Sequence, residues 1–239
     1  MKRVHIVGKS PEKVSLLKEK LASKGFYLVE ENPELVISYG GDGMFLISER
    51  IFPGVPKILL RDSEVGNMTH DFDICEVIDL YLAGNFVLEE TRKLKGIRRG
   101  RFEVRELIGV NDIVLRNSLP TEAIRFRYRI NEGEWSKILI GDGMVVSTPY
   151  GSNKGAYFYS IVKQKFDSGI GVAFNNVTDD RAPLYLTNED CLEIEITRGI
   201  GVMVADNNRD YINLESGDRI KVNLLGDVAR RIVLSDGKG

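Results

Sequence analysis

The chain has 239 residues, 43% of them apolar, and its 33 Lys and Arg against 35 Asp and Glu leave a formal net charge of -2 at pH 7. That length can bury one large core or two modest ones, and the near-cancellation of charge excludes a polybasic nucleic-acid binder as the default reading. Cys75 and Cys191 stand too far apart for a disulfide framework, and no stretch reaches the roughly 18 apolar residues of a membrane span; with the short start Met1-Lys2-Arg3 this points to a cytoplasmic protein with no membrane partner.

Val4 to Val7 is an apolar run that stops at Gly8. Ser10 then offers a helix cap, Pro11 suits the first helical position, Val14, Leu17 and Leu21 recur on one helical face, and Gly25 suits the exit. Leu35 to Ser38 is a buried strand that ends at Gly40-Gly41-Asp42-Gly43, after which Met44, Phe45, Ile47 and Ile51 follow a helical period. Ile58 to Leu60 reads as a further strand and Ile74 to Leu82 as a short helix. Strands alternating with helices predict an α/β domain over residues 1–84 with an open, mostly parallel sheet.

Beyond Gly84 short β-rich runs take over, among them Ile113 to Leu115, Ile124 to Ile130, Met144 to Ser147, Leu192 to Thr197 and Arg219 to Leu224. Turn signals such as Asn131-Glu132-Gly133-Glu134 and Glu215-Ser216-Gly217-Asp218 separate them, predicting a second, mainly antiparallel β domain over residues 85–239. Its helical candidate is Gly155 to Gln164. Arg92, Lys93, Lys95, Arg98, Arg99, Arg101 and Arg105 crowd one stretch and read as a solvated strand face.

Three segments carry chemistry. Gly40-Gly41-Asp42-Gly43 falls between a strand and a helix, at the carboxyl end of a parallel sheet, where open α/β folds bind ligands. Glycines there let backbone N–H groups approach phosphate oxygens, and the helix adds its positive end. A carboxylate beside phosphates is useful only if it holds Mg²⁺ or accepts a proton from an attacking hydroxyl, and both belong to phosphoryl transfer; the plainer alternative is a turn in which Asp42 merely caps. Asp142 to Tyr157 runs from a turn through an apolar strand into small, hydroxylated and aromatic residues, Thr148 among them. Such a cluster suits a purine and its ribose, or a hairpin followed by a capped helix. Asn111-Asp112 opens a strand and is by itself an ordinary polar pair.

The order and surroundings of these segments resemble the NAD kinase family, which uses ATP or polyphosphate. That family has a Gly-Gly-Asp-Gly turn in an N-terminal α/β domain, then an Asn-Glu or Asn-Asp pair, then Asp-Gly-x-x-x-Ser-Thr-Pro-x-Gly-Ser leading to Ala-Tyr; here these are Gly40 to Gly43, Asn111 with Asp112, and Asp142 through Tyr157. The resemblance spans most of the chain. It implies two domains holding the substrate between them, in part with a neighbouring subunit of a homodimer or homotetramer. It also implies that Asp42 acts near the adenosine 2′-hydroxyl of NAD, as proton acceptor or through the metal, with Gly41 and Gly43 beside the phosphates. Asn111 and Asp112 would bind ribose hydroxyls or adenine, Ala156 and Tyr157 the base with Ser160 nearby, and Asp142 the nicotinamide end across a subunit boundary. Asp206 matches the family's late Asp-Gly position, although Asn207 replaces the glycine.

Departures from the pattern are Met44 where the family has Thr, Ser63-Glu64-Val65-Gly66-Asn67 without the usual Phe, and Asn153-Lys154-Gly155 where the family has a single Thr. They keep two other readings open: a kinase for a different nucleotide or small metabolite, and a nucleotide-binding regulator without turnover. Asp42 argues against the second. His5 reads as a packed or edge residue, His70 as a solvated loop residue, Asp179-Asp180 as a charged turn and Trp135 as a core or interface anchor.

Overall fold

The computed structural model describes residues 2–61, 74–101, 103–153 and 157–235, and the chain forms two compact units, residues 1–91 with 228–239 and residues 92–227. The first unit opens with β1 (Arg3–Gly8), α1 (Pro11–Ser23), β2 (Tyr27–Leu28), β3 (Leu35–Tyr39), α2 (Asp42–Ile51), β4 (Lys57–Leu60) and α3 (Ile74–Leu82), and β5 (Phe86–Arg99) leads out of it. Ser10 caps α1 by accepting the Lys13 N–H at 3.5 Å, and Pro11 takes the first turn. Strands β2, β1, β3 and β4 lie side by side in that order, every pair parallel. A parallel sheet covered on both faces buries its strands completely, and β4 is buried at every position, its one charged residue Lys57 included. Leu17 and Leu21 of α1 and Val77 and Ile78 of α3 cover one face over Leu35, Ile37 and Ile58, while Met44 of α2 packs with Val7 and Val36 on the other.

The second unit continues with β6 (Val104–Gly109), β7 (Asp112–Asn117), β8 (Ile124–Ile130), β9 (Leu139–Gly141), β10 (Gly143–Ser147), α4 (Pro149–Asn153), α5 (Tyr157–Val162), β11 (Ile170–Asn175), β12 (Leu184–Leu186), β13 (Leu192–Arg198), β14 (Gly201–Ala205), β15 (Ile212–Leu214) and β16 (Arg219–Leu234). Six strands form an antiparallel sheet in the order β12-β11-β10-β7-β14-β15. Its inward face meets the antiparallel β13 and β8 through a core that includes Ile113, Leu115, Met144, Val146, Phe126, Ile194 and Ile220. On the outward face Phe158 of α5 packs on Val114, Val145 and Ala173. Both halves thus have the expected sheet types, parallel first and antiparallel second.

The end of the chain departs from the expected division at residue 84. β16 is 16 residues long, and only its first part belongs to the second unit. Its last part joins the first unit's sheet parallel to β4, pairing Ile232 with Ile58, and buries Ile232 and Leu234 in that unit's core. Among the described residues no helix is long and apolar enough to cross a membrane.

Candidate active site

In the first unit the Gly-Gly-Asp-Gly turn grows directly out of β3. Gly40 donates its N–H to the Leu60 carbonyl at 2.8 Å, tying the turn to the end of β4. Gly41 is the N-cap of α2, with an extended backbone (φ -83°, ψ -176°) and no side-chain capping bond, and Asp42 is the first helical residue. A glycine cap puts no side-chain oxygen over the helix start, which leaves room for an anion to approach. Asp42 is half-buried and Gly43 exposed. Met44 turns inward to the core at 4% exposure, so the difference from Thr at that position is absorbed by packing.

In the second unit the link from β6 to β7 is two residues, Val110 and Asn111, and three elements grip it. Asp206, which follows β14, accepts the N–H groups of Val110 at 2.8 Å, Asn111 at 2.7 Å and Asp112 at 3.2 Å. Thr148, which follows β10, donates its hydroxyl to the Val110 carbonyl at 2.7 Å, accepts the Gly151 N–H at 3.0 Å, and gives its own N–H to the Asn111 carbonyl at 2.9 Å. Gly151 lies so close that a Cβ there would come 2.3 Å from the Asn111 carbonyl oxygen. The Asn111 side-chain Oδ1 is buried without a hydrogen-bond partner in the structure, the state of an acceptor that a ligand donor would satisfy.

Asp112 is 2% exposed. Burial, with the Asp206 carboxylate adding to it, pushes its pKa from 3.8 up to about 7, and the Tyr157 N–H bonded to it holds the rise back. Asn111, Asp112, Thr148, Tyr157 and Asp206 therefore come together at one end of the six-stranded sheet. Tyr157 presents a ring that is 56% exposed, and Ser160, one turn on, is exposed and donates to the Tyr157 carbonyl at 2.7 Å. Thr148 is 0% exposed and its hydroxyl serves the backbone, so it frames the loop rather than presenting an oxygen outward. Ala156, Lys154, Gly155, the Ser63 to Asn67 segment and His70 lie outside the described residues.

Asp142 stands apart. It precedes β10, whose far end places Ser147 opposite Asp112, so the length of a five-residue strand, about 17 Å, separates Asp142 from the cluster. Two amides hold its carboxylate: Asn117 Nδ2 at 3.3 Å and Asn176 Nδ2 at 3.1 Å. Neither asparagine carries a signal in the sequence, because pairing them with Asp142 requires the strand registers of β7 and β11. Among the described residues no group of three or more His, Cys, Asp or Glu side chains could hold a metal ion.

A parallel α/β unit with a Gly-Gly-Asp-Gly turn, followed by an antiparallel unit that grips an Asn-Asp loop, is a fold shared with solved kinases. The crystal structure of yeast NADH kinase complexed with NADH superposes with a TM-score of 0.85 at 16% identity, covering 99% of this chain and 84% of the other. An NAD kinase from Archaeoglobus fulgidus in complex with ATP gives 0.77 at 19% identity, covering 99% and 94%. No protein-family model matches the chain. In sequence, the NAD kinase of Alcanivorax borkumensis is 30% identical over 228 residues, covering 91% of this chain and 73% of its own length. That of Aquifex aeolicus is 29% identical over 199 residues, covering 79% and 72%, and that of Nitrosospira multiformis 26% over 199, covering 79% and 66%. The chain belongs to the NAD kinase family.

Proposed function

We propose that the chain phosphorylates NAD, transferring the γ-phosphoryl group of ATP to the adenosine 2′-hydroxyl and releasing NADP and ADP. The observation that carries this is Asp42 at the first position of α2, behind a glycine cap and at the carboxyl end of a parallel strand, in a chain of this family. As the 2′-oxygen bonds to phosphorus, its proton passes to the Asp42 carboxylate and the bond to ADP breaks. The amides at the head of α2 stabilise phosphate oxygens, with Gly41 and Gly43 allowing close approach. Asn111 and Asp112 hold ribose hydroxyls, and the exposed Tyr157 ring stacks on the base with Ser160 beside it.

Mg²⁺, when bound with the nucleotide, would supply charge neutralisation at the donor phosphates. The Asp42 carboxylate at the turn would hold an ion that arrives with the nucleotide, since such an ion needs only one or two protein carboxylates beside phosphate. Asp142, held by two asparagines at the other end of β10, serves the nicotinamide end of a dinucleotide bound by a second copy; this reading makes the active form a homodimer or homotetramer. Its setting is the cytoplasm, where NAD and ATP are available. Purified protein incubated with Mg²⁺, NAD and either ATP or polyphosphate, with NADP detected by an NADP-specific dehydrogenase, tests the reading and identifies the donor. NADP formation supports it, and tight NAD binding without NADP would refute it.

A further inference from the structure

We propose that Asp206 is a positioning residue: by gathering the N–H groups of Val110, Asn111 and Asp112 onto one carboxylate, it fixes the backbone from which Asn111 and Asp112 meet the acceptor nucleotide. This rests on the NAD-phosphorylating reading for the identity of the nucleotide, but its geometry is independent of that reading. Val110 and Asn111 lie between two strands, so their N–H groups have no strand ladder to join. The β14 register supplies the answer: Ala205 pairs with Ile113, and one step on, Asp206 gives its own N–H to the Asp112 carbonyl at 3.1 Å. A left-handed backbone at Asp206, φ +50°, turns its side chain back over the loop it caps.

A neutral amide could not do the same. Oδ1 takes Asn111 and Asp112 while Oδ2 takes Val110, so an asparagine would aim N–H groups at the Val110 N–H. Thr148 grips the carbonyl side of the same two residues, and the link is clamped from both directions.

The arrangement places a carboxylate next to buried Asp112, which sets a second readout. Among the described residues, the groups facing Asp112 are the Asp206 carboxylate after β14, uncharged Ser147 opposite on β10, and the Tyr157 N–H from α5. Removing the Asp206 charge lowers the pKa of Asp112, and with it the acid limb of kcat/KM for NAD to the extent that ionised Asp112 holds the nucleotide.

The test compares wild type with Asp206→Asn, measuring NADP formation from about pH 5 to 9 with separate KM values for NAD and ATP. NAD binding is followed in parallel by calorimetry and folding by thermal unfolding. The expected result is a KM for NAD raised about tenfold or more, a KM for ATP within about twofold of wild type, and an acid limb shifted to lower pH. An unchanged KM for NAD, an unmoved acid limb, or equal losses for NAD and ATP would overturn the proposal. Should Asp206→Asn fail to fold, Thr148→Val and Thr148→Ser take its place: weakened NAD binding in the first with recovery in the second supports the clamp, and wild-type binding in both refutes it. A wild type that binds NAD without turnover refutes the functional reading alone, and the calorimetric comparison then decides the role of Asp206. A wild type that neither binds nor turns over NAD removes both.

Discussion

Asp112 shows at the scale of one residue what a buried carboxyl costs in stability. A carboxyl with a pKa of about 7 when folded, against 3.8 ordinarily, takes up a proton on folding. The stabilisation linked to it is complete below pH 3.8, declines as pH rises, and is gone above about 7. Asp112→Asn should therefore stabilise the protein at pH 8 by on the order of 2 kcal/mol and give no gain near pH 4, measured by urea unfolding at both values. Gly143 is constrained in another way. Its φ is +138° and an added Cβ would come 1.9 Å from the Leu115 carbonyl oxygen, so Gly143→Ala should destabilise by about 3 kcal/mol or more in the same assay. The glycines and aspartates of the site were legible as letters because each belongs to a short motif. The roles of Thr148 and Asp206 were not, since both act on backbone groups of a loop that is distant in sequence.

Among the elements, α2 is anchored at the end away from its glycine cap. The fully buried Lys57 ammonium bonds to the Glu49 carboxylate of α2, to the Phe52 carbonyl at 2.8 Å and to the Val55 carbonyl at 2.6 Å, while Glu49 accepts the Gly54 N–H at 2.9 Å. Lys57→Met takes away the ammonium paired with a buried carboxylate and should lower stability by about 3–5 kcal/mol, and adding Glu49→Leu should recover much of the loss. Trp135 covers the guanidinium groups of Arg127 and Arg129, each 4.7 Å from its ring centre, and those arginines pair with Glu195 and Glu193 at 2.6 Å. Trp135→Ala should cost about 1–2 kcal/mol. As the single tryptophan, Trp135 makes intrinsic fluorescence a reporter of unfolding in the second unit. Element types followed from hydrophobic period and caps, but the basic stretch was only partly what its composition suggested. Lys95 pairs with Glu106 as a solvated face would, whereas Lys93, two residues earlier on the same strand, is 4% exposed, a burial that composition alone does not reveal.

For the molecule as a whole, the switch from helical to strand periodicity near Gly84 was visible in the sequence. The return of residues 228–239 to the first unit was not, because β16 looks like one more β run and only the pairing of Ile232 with Ile58 reveals where it ends. Solved relatives share this fold at 16% and 19% identity, so the arrangement depends on pattern more than on particular residues. Under the proposed function, what the chain does turns on a few chemical groups, Asp42 first. The most direct measurement is the rate of NADP formation from NAD and ATP by wild type and Asp42→Asn, with NAD affinity and melting temperature measured alongside. The account predicts NADP from the wild type and a turnover lower by about 10²-fold or more in a variant that still folds and binds NAD. NADP formed at the wild-type rate by Asp42→Asn would contradict it.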